Sequence, residues 1–161
     1  MAQEHKLDAE LVTCVMIQNP GTNAVLVQNR KLKYPGYSFP GGHVEKGESI
    51  YDCAVREVKK ETGLDVYNLE YCGVVHWMNR ESDERYLCFM YKTTRYGGSL
   101  IPQTEEGDHF WLGIDELFET PAEKISSVHY ALSPLFHETG KYGEVFIKWS
   151  GDESTWETIY K

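Results

Sequence analysis

No run in this 161-residue sequence is long and apolar enough to cross a bilayer as a helix, which takes about 20 such residues. The first apolar run, Leu11 to Ile17, is short and interrupted by Thr13. The beginning, Met1-Ala2-Gln3-Glu4-His5-Lys6, has none of the apolar character of an export signal, so a cytoplasmic location with no membrane partner is expected. Cysteine is sparse. Cys14, Cys53, Cys72 and Cys88 stand far apart, three of them within apolar strand-like runs, and no C-x-x-C pair is present to bind zinc or exchange disulfides. Buried thiols are the expectation. The six histidines lack ligand spacing, which sets a histidine zinc site aside. Positive charge is in deficit too: 16 lysines and arginines against 25 aspartates and glutamates give −9, a field that repels nucleic acid polymers. Repeats, linkers and low-complexity segments are missing. A chain of this size buries one core comfortably but not two, so residues 1–161 are expected to form a single domain, and a homodimer is compatible with that.

What is present reads as strands around one strong helix. Leu11 to Gln18 and Ala24 to Gln28 are apolar, β-branched runs flanking the turn-forming Asn19-Pro20-Gly21-Thr22-Asn23, and are expected to pair. Lys31 to Gly36 looks like a basic loop, and Pro40-Gly41-Gly42 punctuates the chain sharply. From Ser49 the spacing turns helical: Ile50, Ala54 and Val58 recur every four residues, Ser49 with Asp52 resembles a capping box, and Gly63 falls where a left-handed cap belongs. Leu69 to Met78 and Tyr86 to Thr94 should form a hairpin, as should Glu144 to Trp149 and Thr155 to Tyr160. His109 to Leu112 reads as a short strand, Ile114 to Phe118 as a helical turn, and Ser126 to Leu132 as part of a helix disturbed by Pro134. Strands on both sides of a central helix, with mixed connections, indicate a layered α+β domain with a mixed sheet.

One segment carries chemistry. Glu57 and Glu61 are four apart on the helix, so their carboxylates leave one face within about a turn of each other. Such a pair among lysines is ordinarily a solvated face. Here a Gly-Gly turn, whose backbone can approach a ligand closely, leads into the same helix, and the two like charges would repel unless a cation intervened. Hard oxygen ligands select Mg2+, with Mn2+ as a substitute.

Gly42-His43-Val44-Glu45-Lys46-Gly47-Glu48, then Ser49 to Val55, then Arg56-Glu57-Val58-Lys59-Lys60-Glu61-Thr62-Gly63-Leu64 closely resembles the box of the Nudix hydrolases, G-x5-E-x7-R-E-U-x-E-E-x-G-U with U aliphatic. Six of the seven fixed letters match, an agreement that average residue frequencies produce in about one chain in ten thousand. The resemblance implies the Nudix fold, an α/β/α sandwich with a mixed β-sheet. It also implies metal-dependent cleavage of a phosphoric anhydride in a nucleotide-like small molecule. By position, it makes Glu57 and Glu61 metal ligands and catalytic residues, and it pairs Glu48 with Arg56 as a brace holding loop to helix. Lys60 stands where the pattern has a glutamate. Two readings of it stay open: a positive charge for substrate phosphates, or a solvated helical lysine.

Many family members recruit a further glutamate, as ligand or general base, from a loop before a late strand. Glu105-Glu106-Gly107, ahead of Phe110-Trp111-Leu112, resembles that element, so Glu105 and Glu106 are catalytic candidates and Glu106 a metal candidate. Both can equally be ordinary loop acids. Arg30 matches a position where MutT-like members place a nucleotide-binding arginine. With Phe39, Gly41, Gly42 and Lys60 it completes the expected substrate contacts. Tyr37, Phe39 and Trp77 could stack on a base or serve as core. The proline that ADP-ribose-specific members carry shortly after the box is missing, as are the long signatures of NADH- and coenzyme-A-specific members. A nucleoside triphosphate is therefore the expected substrate, for example 8-oxo-dGTP, giving monophosphate and pyrophosphate. The alternatives are nucleoside diphosphate derivatives or dinucleoside polyphosphates and, further off, a non-catalytic nucleotide sensor.

Overall fold

A computed structural model describes residues 5–161. Residues 1–4, on which the expectation about export rests in part, lie outside the described residues. In chain order the strands are β1 (Ala9–Ile17), β2 (Ala24–Arg30), β3 (Gly36–Ser38), β4 (Gly41–His43), then, after helix α1 (Ile50–Thr62), β5 (Leu64–Tyr67), β6 (Glu70–Asn79), β7 (Arg85–Thr93), β8 (Arg95–Gly98), β9 (Gln103–Thr104) and β10 (Gly107–Gly113). Three short helices follow, α2 (Ile114–Glu119), α3 (Val128–Ala131) and α4 (Pro134–His137), and the chain ends in β11 (Glu144–Trp149) and β12 (Glu157–Tyr160).

The strands form a six-stranded sheet ordered β12-β11-β6-β7-β1-β4, a four-stranded sheet ordered β3-β2-β10-β9, and the pair β5-β8. The larger sheet is mixed: β1 runs parallel to β7 and β11 parallel to β6, while the other pairings are antiparallel. Alternation along β1 divides the core. Val15 and Ile17 pack with Ala54 and Val58 of α1, and Val12, Cys14 and Met16 pack on the opposite side with Leu135 and Phe136 of α4. Helices thus cover both faces, the expected α/β/α sandwich. Each fully buried aliphatic side chain in these layers contributes about 1.5–3 kcal/mol relative to exposure.

Helix α1 begins and ends as its sequence indicates. The Asp52 N–H donates to Ser49 Oγ at 3.0 Å, and Gly63 at φ 80° donates its N–H to the Lys59 carbonyl at 2.9 Å. Both expected hairpins, β6–β7 and β11–β12, form. Two expectations are corrected. The runs on either side of Asn19–Asn23 do not make a ladder: β1 and β2 belong to different sheets and share only the isolated bridge Gln18↔Val25. The reason is that β4 and β7 occupy both edges of β1, leaving β2 no edge to join. Pro134, expected to disturb one helix, instead starts α4 at its first turn, where a missing N–H costs nothing, and Ser133 Oγ caps it. All four cysteines are free and buried. Among the described residues no helix is long and apolar enough to cross a membrane.

Candidate active site

The site gathers where the β3–β4 turn crosses β1 and meets one face of α1. Gly41 and Gly42 pair with Cys14 and Thr13 of β1. A Cβ on Gly41 would stand 1.9 Å from the Thr13 carbonyl oxygen, and one on Gly42 would stand 2.5 Å from Glu57 Cδ. Glycine is therefore required at both positions, and what the two residues approach here is β1 and the Glu57 carboxylate. The Gly41 N–H also donates to Glu61 Oε2 at 3.2 Å, which ties the second glutamate to the same turn.

Arg56 is the hub of the brace. Its Nε donates to Glu48 Oε2 at 2.6 Å and one terminal nitrogen to Glu48 Oε1 at 2.9 Å, a bidentate pair. The same terminal nitrogen reaches the His43 carbonyl at 3.1 Å, and the other donates to Glu57 Oε1 at 2.6 Å. This guanidinium holds the Glu48 carboxyl down at about 2. Arg56 thus joins the loop acid to the helical acid.

Glu61 is in the opposite position. Burial is the main cause that pushes its carboxyl up to about 8, with the charges of Glu57 and Glu106 adding to it; the Gly41 N–H and Arg30 oppose the shift. Glu57, Glu61, Glu106 and Arg30 therefore form one electrostatic neighbourhood. Arg30 and Glu106 arrive together because β2 and β10 pair, with Arg30 opposite Gly107, and the Lys31 N–H binds the Glu106 carbonyl at 2.9 Å. Glu105 is exposed and is not among the charges acting on Glu61.

Lys60 is exposed on α1, and among the described residues no ion pair involves it. Phe39, expected at the substrate, lies in the core at 6% exposure, edge-to-face with Phe136, so its ring faces no open cleft. Tyr37 packs edge-to-face on Phe110, and Trp77 donates through Nε1 to Tyr130 within a group that includes His129 and Trp156. Sequence reasoning missed a buried polar row. Ser38, Gln28 and His109 stand directly opposite one another across β3, β2 and β10, and Ser38 Oγ, Gln28 Nε2 and His109 Nε2 are all buried without a partner. Gln28 and Arg30 share a face, so the row adjoins the Arg30 rung. A polar residue at an apolar strand position was the available signal.

The carboxylates of Glu57, Glu61 and Glu106, with Arg56 bound to Glu57 and Arg30 acting on Glu61, supply the hard oxygen donors that suit a divalent cation. Among the described residues, no group of three or more acidic, His or Cys side chains is drawn together closely enough to hold a metal ion as it stands.

A mixed sheet between helices, with an acid-bearing helix behind a Gly-Gly turn, defines a Nudix-type domain. A family model described as NUDIX domain matches residues 9–136, and the chain belongs to the Nudix hydrolase family, whose members generally use divalent metal ions. Among curated relatives, the NAD-capped RNA hydrolase NudC of Pseudomonas aeruginosa is 30% identical over 141 residues, covering 80% of this chain and 49% of that protein. The protein of the same description from Stutzerimonas stutzeri is 31% identical over 111 residues, covering 68% and 39%. The chain thus spans about half the length, or less, of these relatives. Among solved structures, the MutT protein from Bacillus halodurans superposes with a TM-score of 0.71 over 94% of this chain and 96% of that one, at 24% identity, a likeness of fold.

Proposed function

We propose that the protein hydrolyses a phosphoric anhydride in a nucleotide, using Mg2+ or, in substitution, Mn2+. The observation that carries this reading is Glu61, tied to the Gly41 N–H, buried, and acted on by the charges of Glu57, Glu106 and Arg30. Glu57, Glu61 and Glu106 would hold the ion. When bound, it neutralises phosphate oxygens and lowers the pKa of a water. The chain's own residues do the rest. Arg30 orients a phosphate by charge, and Arg56 keeps Glu57 in place through Oε1. A water oxygen bonds to phosphorus, the bond from phosphorus to the bridging oxygen breaks, and the proton of the water passes to the Glu106 carboxylate. Glu105 and Lys60 lie at the margin of this arrangement, exposed to solvent.

A nucleoside triphosphate, 8-oxo-dGTP included, is the substrate class we favour, cleaved to monophosphate and pyrophosphate. A nucleoside diphosphate derivative or a dinucleoside polyphosphate is the second reading, favoured by the relatives described as NAD-capped RNA hydrolases. A nucleotide panel with magnesium, analysed for monophosphate, pyrophosphate and orthophosphate, tests both. Pyrophosphate from triphosphates supports the first reading, and two monophosphates from a dinucleotide support the second. Inertness toward every nucleotide would sink both.

A further inference from the structure

Phe39 lies in the core, so its ring is not available to stack on a base. We infer that Tyr34 takes that part: its ring is the stacking platform for the nucleobase of a nucleotide whose phosphates lie at Arg30. This rests on the nucleotide reading above.

Tyr34 sits in the segment between β2 and β3, where residues 31–35 are all exposed. At 74% exposure its ring is the most exposed large apolar or aromatic side chain among the described residues. An exposed loop tyrosine is by itself ordinary. The backbone makes this one different: Tyr34 has φ 51°, a left-handed conformation that bulky side chains rarely adopt and that glycine or asparagine would accept without strain. The conformation persists because both ends of the segment are fixed. At one end the Lys31 N–H binds the Glu106 carbonyl. At the other, Ser126 Oγ donates to the Tyr34 carbonyl at 2.6 Å and the Ser126 N–H to the Tyr37 carbonyl at 2.9 Å. Gly36 passes so close to the strand-like chain at Ile125 that a Cβ would stand 2.7 Å from the Lys124 carbonyl oxygen. The segment is a pinned arch that starts at the acidic loop.

The arch also faces the right neighbours. Arg30 and Gly36 pair across β2 and β3, so Tyr34 lies in the short loop that closes on the Arg30 rung. Tyr86 of β7, opposite Glu10, is held well above the usual phenol range by burial, then by Cys88, Glu10 and Tyr34, with Arg30 opposing, in keeping with that placement. Arg30, Lys31 and Lys33 place three cations within four residues of a chain whose net charge is −9. Lys31 is engaged by Asp108, and Lys33 extends the positive flank. A rigid ring beside a phosphate-binding arginine on a locally basic arch suits an anionic ligand that carries a flat aromatic group.

Calorimetric titration with adenosine and guanosine 5′-monophosphates, beside ribose 5-phosphate as a ligand with phosphate and no base, isolates the platform from turnover. Tyr34→Asn, which accepts the left-handed backbone, should weaken binding of both nucleotides about ten- to hundredfold and leave ribose 5-phosphate unchanged. Its melting temperature should hold or rise, and Tyr34→Phe should bind as the parent does. Nucleotide affinity unchanged in Tyr34→Asn, or an equal loss for ribose 5-phosphate, overturns the inference. Because binding is read without catalysis, a protein that binds nucleotides through Tyr34 but hydrolyses none refutes the proposed function and leaves the platform standing.

Discussion

Two acids of one loop and helix stand in opposite electrical circumstances. Glu48, in the loop before α1, and Glu57, on the helix, share the Arg56 guanidinium, and the Glu48 carboxyl is held at about 2. One turn beyond Glu57, Glu61 is pushed up to about 8, with Arg30 the only cation among its main influences. The paired end is complete within the chain and fixes the loop. The other end is deficient in positive charge, and that deficiency is what a divalent cation would satisfy. The contrast separates residues that build the site from residues that await a ligand.

The largest effect comes from altering the deficient end. Glu61→Gln or Glu57→Gln keeps the shape and removes a charged ligand, and turnover with magnesium should fall by about two orders of magnitude or more. Folded variants with near-normal turnover would show that the acids are no metal site. Altering the paired end should damage the fold as well: Arg56→Ala leaves Glu48 and Glu57 without a partner in a site where Glu48 is only 14% exposed. A fall in melting temperature of about 5 °C or more, with activity lost in parallel, is expected, and a smaller fall for Glu48→Gln. Unchanged melting in both would show that the pair is no brace.

Acidity sharpens the comparison, because the two ends act in different ranges. A depressed carboxyl such as Glu48 contributes stability above about 4.5 that is lost as pH falls toward 2. A raised carboxyl such as Glu61 does the reverse: the folded state holds its proton more tightly, so stability of the metal-free protein declines as pH rises from about 4.5 to 8. His129 and His137, both lowered by burial, add stability as pH rises through about 6.5, opposite in sign to Glu61, so the difference between wild type and Glu61→Gln from pH 6.5 to 8 reports Glu61. Relative to Glu61→Gln, the wild-type melting temperature should drop across that interval by several degrees and recover with magnesium. The smallest effect belongs to Lys60→Glu. It adds a carboxylate to the helix and removes a cation, so half-saturation with magnesium should shift to lower concentration by a few-fold. No shift would mean that Lys60, already exposed, has no bearing on the metal.

The sequence was most legible where a local rule decides the outcome. Ser49, Gly63 and the four-residue apolar spacing bounded α1 because caps and periodicity act within a few residues. The box placed Glu48, Arg56, Glu57 and Glu61 together for the same reason, all four lying on one loop and helix. What escaped depends on distant partners. That β2 leaves β1 follows from β7 and β4 occupying its edges, and that Phe39 is core follows from Phe136, nearly a hundred residues away. Glu106 and Glu105 are neighbours with the same chemistry, and only the folded placement of the loop beside Arg30 makes Glu106 a main charge acting on Glu61. Tyr34 gave no pattern at all, since a strained φ is invisible in a list of residues.

The parallel pairing of β1 with β7 has a kinetic side. Ala9 lies opposite Arg85, so the nine-residue ladder that floors the site closes a loop of most of the intervening chain. Such closure is slow beside the formation of α1 or the β6–β7 hairpin, whose contacts are local. As the polypeptide is made, β1 and α1 emerge early, and Val15, Ile17, Ala54 and Val58 lose an exposed edge only once β7 arrives. The helix alone brings Glu57 and Glu61 to one face in water, whereas the burial that raises Glu61 needs the Gly41 turn held against β1, so the cost of that buried charge falls on closure of the sheet rather than on the birth of the helix.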